Sequence, residues 1–314
     1  MKQVALYVGD ALGRYGFPDG HPFGPDRQLA FWDETVRQGL DRKALLCDPV
    51  LALEAELTRF QTPEFVDFVR EASLRGDGFL DYGDTPAFPA AFDAASHVAG
   101  SALAGLRLVM ERNVRRAFQP IGGLHHAQRG AAAGFCIFND TGVLVETLRS
   151  EYGVRRVAYV DIDVHHGDGV FYAYESDAEV IIVDTHQDGR TLYPGTGHAY
   201  ERGKGAAEGT KLNIPLPPGT GDDVFLEEWV LAERFLRRFK PEFVILQCGA
   251  DSIAGDPLAM LRLSPKAHGT VARSLVAIAE EFSDGRIMGF GGGGYNRRNL
   301  ALGWNEVLRA FIES

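Results

Sequence analysis

The chain has 314 residues, 45% hydrophobic and 24% charged, with a formal net charge of −11. That length suits one large α/β domain or two small ones, and the composition is that of a soluble globular protein. The acidic balance disfavours nonspecific nucleic-acid binding, which needs clustered Lys and Arg, and no apolar run reaches membrane-spanning length.

Taken in chain order, Met1 to Val8 opens on a strand pattern over 3–8, with an apolar run too short for a signal peptide. A helical pattern follows near 27–39. Thr62-Pro63 looks like an N-cap with Pro at the first helical position, opening a helix over 63–75. A longer helix near 89–112 leads to a strand over 115–118, a helix over 141–152 and a strand over 157–161. Strands over 180–185 and 211–215 precede a helix over 222–239 and a strand over 243–248. Ser264-Pro265 repeats the capping signal before a helix over 264–281, and a strand over 286–290 is followed by a last helix over 297–312. The alternation predicts an α/β fold of three layers, helices on both faces of a mostly parallel sheet, in a single domain over 1–314. Cys47, Cys136 and Cys248, an odd set without CxxC, read as small buried hydrophobes in a reducing cytoplasm. The short clusters Arg112, Arg115, Arg116 and Arg234, Arg237, Arg238 read as solvated ends of elements.

Chemistry concentrates where strands end. Asp161-Ile162-Asp163-Val164-His165-His166-Gly167-Asp168 follows the apolar run Val157 to Val160. Ionisable groups at the end of a buried strand are costly unless paired or bound to metal, and strand C-termini of parallel sheets carry active sites. Residues two apart share a face of an extended segment, so Asp163 and His165 form a natural ligand pair. Asp251, after the strand 243–248, is by itself as readily an N-cap; beside that pair it completes a set of two Asp and one His. Three protein ligands with an open position is the pattern of catalytic zinc, although such oxygen-rich ligation also suits Fe(II). His125-His126, preceded by glycines, reads as an acid/base device, with Asp161 and Asp168 available to fix the imidazole tautomers. Gly291 to Gly294 allows close backbone approach, lacks the GxxxxGK[ST] of a phosphate loop, and ends on Tyr295, whose hydroxyl is placed to donate to an oxyanion.

Together these residues resemble the zinc-dependent histone deacetylase family of the arginase/deacetylase fold. The matching segments are His21-Pro22 with Arg27, Gly123 to Ala127, Gly134 to Asp140, Asp161 to Asp168, Tyr193 to Gly197, Gly249 to Ser252 and Gly291 to Asn296. They run in the family's order over nearly the whole chain, and the short length looks most like bacterial acetoin-utilisation-type deacetylases. The resemblance implies zinc held by Asp163, His165 and Asp251, with His126 as general base oriented by Asp168. It implies that His125, paired with Asp161, stabilises charge, and that Tyr295 polarises the acyl carbonyl. Phe135 and Tyr193 would wall a narrow tunnel, the Gly134 carbonyl would meet the substrate amide, Arg27 would serve an inner acetate cavity, and Asp84 would be a rim carboxylate. A structural potassium ion is implied beside the zinc loop, on Asp161 and the main chain of Asp163 and His165, with Asp184 where a serine is common.

The activity implied is metal-dependent deacetylation of acetyl-lysine in peptides or proteins. The alternative is deacylation of acetylated polyamines or other small acylated amines, for which Asp84 is the one rim carboxylate to name. An arginase-type two-manganese site would need a further Asp near Asp251, where Ser252-Ile253-Ala254 offers none, and a non-catalytic reader would not need the full set of His and Tyr. His97, His166, His186, His198 and His268 receive no role, and the oligomeric state is left open.

Overall fold

The computed structural model describes residues 3–18 and 20–314. Its strands are β1 (Val4–Tyr7), β2 (Leu45–Cys47), β3 (Arg116–Gln119), β4 (Val157–Asp161), β5 (Val180–Gln187), β6 (Lys211–Leu216), β7 (Phe243–Gln247) and β8 (Ile287–Phe290). Among the described residues these form one sheet in the order β2-β1-β3-β8-β7-β4-β5-β6, every neighbouring pair parallel. The expected strands are all present. The edge strand β2 was not expected: it is three residues long, with Leu45 and Leu46 exposed, so it carries no apolar periodicity.

Because strand side chains alternate between faces, the sheet separates two cores. Val157, Tyr159, Ile182 and Ile245 pack on one face with the short helix α1 (Asp10–Gly13) and with helices α4 (Pro63–Arg75), α5 (Ala91–Met110), α6 (Asp140–Tyr152) and α7 (Asp168–Tyr174). Ala158, Val160, Ile181 and Leu246 pack on the other with α2 (Arg27–Arg37), α8 (Asp222–Phe239), α9 (Pro265–Phe282) and α10 (Arg297–Glu313). The remaining helix is the single turn α3 (Glu54–Leu57).

The helix ends follow local chemistry. Thr62 Oγ1 accepts from Phe65 N–H at 3.3 Å to cap α4, whose C-terminus runs into left-handed Gly76 at φ 71°. Ser264 stands at the N-cap of α9 with Pro265 at the first helical position, as expected, but its side chain does not cap the helix. Its hydroxyl and amide instead donate to Asp222 at 2.6 and 2.7 Å, tying the start of α9 to the start of α8. Arg116 also departs from the solvated reading: it is buried, donating to the Phe311 and Ser314 carbonyls at 2.6 and 2.7 Å and pairing with Glu280. Cys136 and Cys248 are buried, whereas Cys47 on the edge strand is half-exposed.

Strand register sets up the site. Gln119 pairs with Phe290, Phe290 with Gln247, Gln247 with Asp161 and Asp161 with Asp184, forming a row across the last residues of four strands and the middle of β5. The loops leaving that row carry residues 122–127, 291–295, 249–252 and 162–168.

Candidate active site

Asp163 and His165 leave β4, and Asp251 lies in the short turn Ala250–Ser252 that follows β7. One ligand atom from each lies within 4.8 Å of the others, and all three residues are buried. His165 Nδ1 is 3.0 Å from Asp163 Oδ1 and 3.3 Å from Asp251 Oδ2. Two backbone amides and one side-chain amide fix the carboxylates: Asp163 Oδ2 accepts from Gly293 N–H at 2.8 Å and from Gln247 Nε2 at 2.9 Å, and Asp251 Oδ1 accepts from Val164 N–H at 3.0 Å. Glycine is required at the close approach, since a Cβ on Gly293 would overlap the Asp251 carboxylate and one on Gly249 would overlap Asp163.

Asp251 Oδ2 is buried, and its one polar neighbour is the His165 ring nitrogen 3.3 Å away, too poorly aligned to count as a hydrogen bond. A buried carboxylate oxygen so weakly satisfied beside a second carboxylate is costly, and a divalent cation removes the cost. The donor set therefore fits a metal. The protonation pattern agrees. Burial pushes the His165 imidazole down, but hydrogen bonds and charge from Asp163 and Asp251 outweigh it and hold it up at about 10. Burial and then the Asp163 charge push Asp251 up to about 7.

The twin imidazoles face this group. Asp140, at the start of α6, accepts from Gly123 and Leu124 N–H at 2.8 Å each and so shapes the loop that presents them. His125 Nδ1 meets Asp161 Oδ2 at 2.8 Å, and His126 Nδ1 meets Asp168 Oδ1 at 2.6 Å. The Tyr159 hydroxyl also donates to Asp161 Oδ2. Burial, then the charges of Asp184 and Asp163, push Asp161 well above the usual carboxylate range. Burial and the neighbouring His125 push His126 down, outweighing Asp168. His126 is therefore neutral near pH 7 and able to accept a proton.

A cavity of about 220 Å³ leads to these groups, lined by Gly134, Phe135, Leu192, Tyr193, Leu258 and Tyr295, with exposed Asp84 at its mouth. Phe135 is left-handed at φ 70°. Its N–H donates to Thr85 Oγ1 at 3.1 Å and its carbonyl accepts from the Tyr15 hydroxyl at 2.8 Å. The Tyr295 N–H donates to buried Asp256 Oδ2 at 2.8 Å. Burial, then the charges of Asp251 and Asp163, hold the Tyr295 hydroxyl well above 10 despite Arg27, so it stays a donor.

Arg27 is fully buried against the same loop. Nε donates to the Gly294 carbonyl at 2.9 Å and Nη2 to the Gly292 carbonyl at 2.5 Å, while Nη1 has no partner. Burial lowers its pKa to about 10, which leaves it cationic at neutral pH.

The structure therefore gathers Asp163, His165, Asp251, His125, His126, Asp161, Asp168, Tyr295, Gly134, Phe135, Tyr193 and Asp84 at one strand edge, with Arg27 behind the glycine loop. Asp184, the expected potassium neighbour, lies on β5 beside Asp161. Its oxygens are taken by His186 Nδ1 at 2.6 Å and Gly167 N–H at 2.9 Å, so its charge is met within the protein by a histidine that sequence reasoning left without a role. Sequence reasoning also missed Gln247, Asp140, Tyr159, Asp256, Thr85 and Tyr15. A polar Gln ending the apolar run Phe243 to Leu246 was the one available signal among them.

A parallel three-layer α/β/α fold with a buried Asp-His-Asp group facing two His-Asp pairs defines a metal-dependent hydrolase. The chain belongs to the histone deacetylase family: residues 21–311 match the family's histone deacetylase domain. It is 36% identical over 322 aligned residues to the acetoin utilization protein AcuC of Bacillus subtilis, covering 99% of this chain and 81% of that protein. It is 31% identical to AcuC of Staphylococcus aureus, covering 100% and 82%. Histone deacetylase HDAC1 of Drosophila melanogaster is 34% identical, with 96% and 58% covered. The crystal structure of the HDA15 HD domain superposes with a TM-score of 0.91 at 25% identity, over 100% of this chain and 90% of that one. By family the chain is a metal-dependent deacetylase. Among the described residues, no helix is long and apolar enough to cross a membrane.

Proposed function

We propose that this deacetylase releases acetate from N-epsilon-acetyl-lysine in peptides or proteins, acting as a single domain in the cytoplasm with zinc as its metal. The observation that carries the reading is the convergence of the His125-Asp161 and His126-Asp168 pairs on the Asp163-His165-Asp251 group at the foot of a cavity walled by Phe135 and Tyr193. A linear acylated alkyl chain fits a passage flanked by two aromatic rings.

Asp163, His165 and Asp251 would hold the metal, which when bound supplies Lewis acidity to the acyl carbonyl and makes a water acidic enough to attack. His126, neutral and oriented by Asp168, takes the proton of the attacking water at Nε2. His125, held by Asp161, would stabilise the charge that develops in the transition state. The Tyr295 hydroxyl donates to the oxygen on which charge develops. A protonated imidazole then delivers a proton to the departing ε-amine as the C–N bond breaks. The Gly134 carbonyl accepts from the substrate amide, Asp84 meets backbone amides at the rim, and the unpartnered Arg27 Nη1 binds the product carboxylate. Asp161, with the main chain of Asp163 and His165, would hold a structural potassium ion, to which Asp184 brings an already neutralised carboxylate.

A screen of the purified chain on acetyl-lysine peptides, acetylated polyamines and other small acylated amines, with zinc and iron supplied separately, tests the reading. Turnover of acetyl-lysine peptides above the other substrates, with zinc, is the expected result. Preference for acetylated polyamines would transfer the site to the small-amine alternative, and preference for iron would change the metal.

A further inference from the structure

We propose a second subsite beside the tunnel mouth that takes a Lys or Arg side chain of the substrate peptide, close in sequence to the acyl-lysine. The proposal rests on the acyl-lysine reading above. A cavity of about 420 Å³ is lined by Glu64, Phe68, Phe79, Asp81, Tyr82 and Ala131 among others. Three aromatic rings there are open to solvent: Phe68 is 40% exposed, Phe79 53%, and Tyr82 fully. Exposed aromatic rings around one cavity mark a binding surface rather than ordinary scattered exposure.

The carboxylates give that surface its sign. Glu64 is exposed and, among the described residues, has no ion-pair partner. Asp81 Oδ1 accepts from the N–H groups of Gly83, Asp84 and Thr85 at 2.9 Å each, and Oδ2 accepts from the Thr85 hydroxyl at 2.6 Å. Burial raises its pKa, but these bonds outweigh it and keep the group ionised. Anionic groups among aromatic faces select cations, through charge and through the negative faces of the rings. An acidic side chain would be repelled.

Two chain segments place this cavity next to the tunnel. The arch closed by the Phe79–Pro86 bridge turns Asp81 and Tyr82 to the cavity and Asp84 to the tunnel mouth. The segment 130–134 lines the cavity with Ala131 and Ala132 and the tunnel with Gly134. The Phe135 N–H to Thr85 Oγ1 bond of 3.1 Å joins the two segments. From Asp81 to Asp84 the chain spans at most about 10 Å. An extended peptide with its acyl-lysine in the tunnel therefore crosses the arch and reaches the cavity within about three residues.

The test is kcat/KM on one acetyl-lysine peptide in an uncharged frame, with Lys, Arg or Glu moved singly through the three positions on either side. The expected result is a gain of about 3- to 10-fold for Lys or Arg at one or two positions, and a loss for Glu there. In Glu64→Lys, with folding checked by its melting temperature, the preference at those positions falls or reverses. Turnover indifferent to flanking charge overturns the subsite while leaving acyl-lysine deacetylation standing. A gain equal at all positions and abolished at about 0.5 M salt is general steering by an acidic protein, and also overturns it. Absence of turnover on every peptide, the uncharged one included, overturns the acyl-lysine reading and the subsite together. So does stronger turnover of acetylated polyamines than of any peptide.

Discussion

His126 Nδ1 lies 2.6 Å from Asp168 Oδ1, so the ring's other nitrogen faces the Asp163-His165-Asp251 group. Burial and His125 lower the His126 pKa, while Asp168 acts in the opposite direction. A general base must be neutral, so activity is lost as pH falls through its pKa. The acid limb of kcat/KM is therefore expected below about 6.5, the ordinary histidine value. In Asp168→Asn the raising contribution is gone, so the limb moves to still lower pH, and the maximal rate drops about 10-fold or more because the tautomer is no longer fixed. A pH–rate profile of the two proteins checks both statements.

Tyr295→Phe removes one donor to the developing oxyanion and leaves the aromatic wall. The expected loss is about 100- to 1000-fold in kcat with little change in KM. Steady-state kinetics on an acetyl-lysine peptide decides it, and undiminished turnover would refute the role.

Asp256 holds the Tyr295 N–H at 2.8 Å and, through its other oxygen, the Leu258 N–H at 3.0 Å. It thereby sets the tyrosine loop and one side of the tunnel mouth together. Asp256→Ala leaves both N–H groups without their acceptor, at a cost of about 1–3 kcal/mol. The melting temperature should fall and kcat should drop about 10-fold. Asp256→Asn, which keeps one acceptor oxygen, should recover part of both.

Metal should stabilise the fold, because the ligand set exists only in the native state. At a metal concentration about 100-fold above Kd the gain is about 2.7 kcal/mol, a rise of about 4 °C in Tm for a chain of this size. Thermal melting with zinc and with a chelator measures it. Gly293→Ala, whose methyl would overlap Asp251, should abolish the rise.

Most of the architecture was legible because β4 and its neighbours β7 and β5 open on runs of four buried apolar residues followed by polar ones. The edge strand β2 was not, since an exposed three-residue strand leaves no periodic trace. The metal-ligand group could be read from the spacing of Asp163 and His165 along an extended segment. Asp140, Gln247 and Asp256 act on backbone amides distant in sequence, and no local spacing encodes such a partner. The Asp184-His186 pair follows the same two-residue spacing as Asp163-His165 and could have been found by it. Ser264 shows a partial match: the helix starts where its capping signal places it, but a carboxylate on the neighbouring helix took the hydroxyl.

The account stands on Asp163, His165 and Asp251 sharing one cation. The most direct measurement is the divalent metal content of the purified chain beside that of a folded Asp251→Ala variant. About one zinc per chain in the first and almost none in the second is the predicted result. Equal metal in both proteins, or none in either after zinc is supplied, would contradict it.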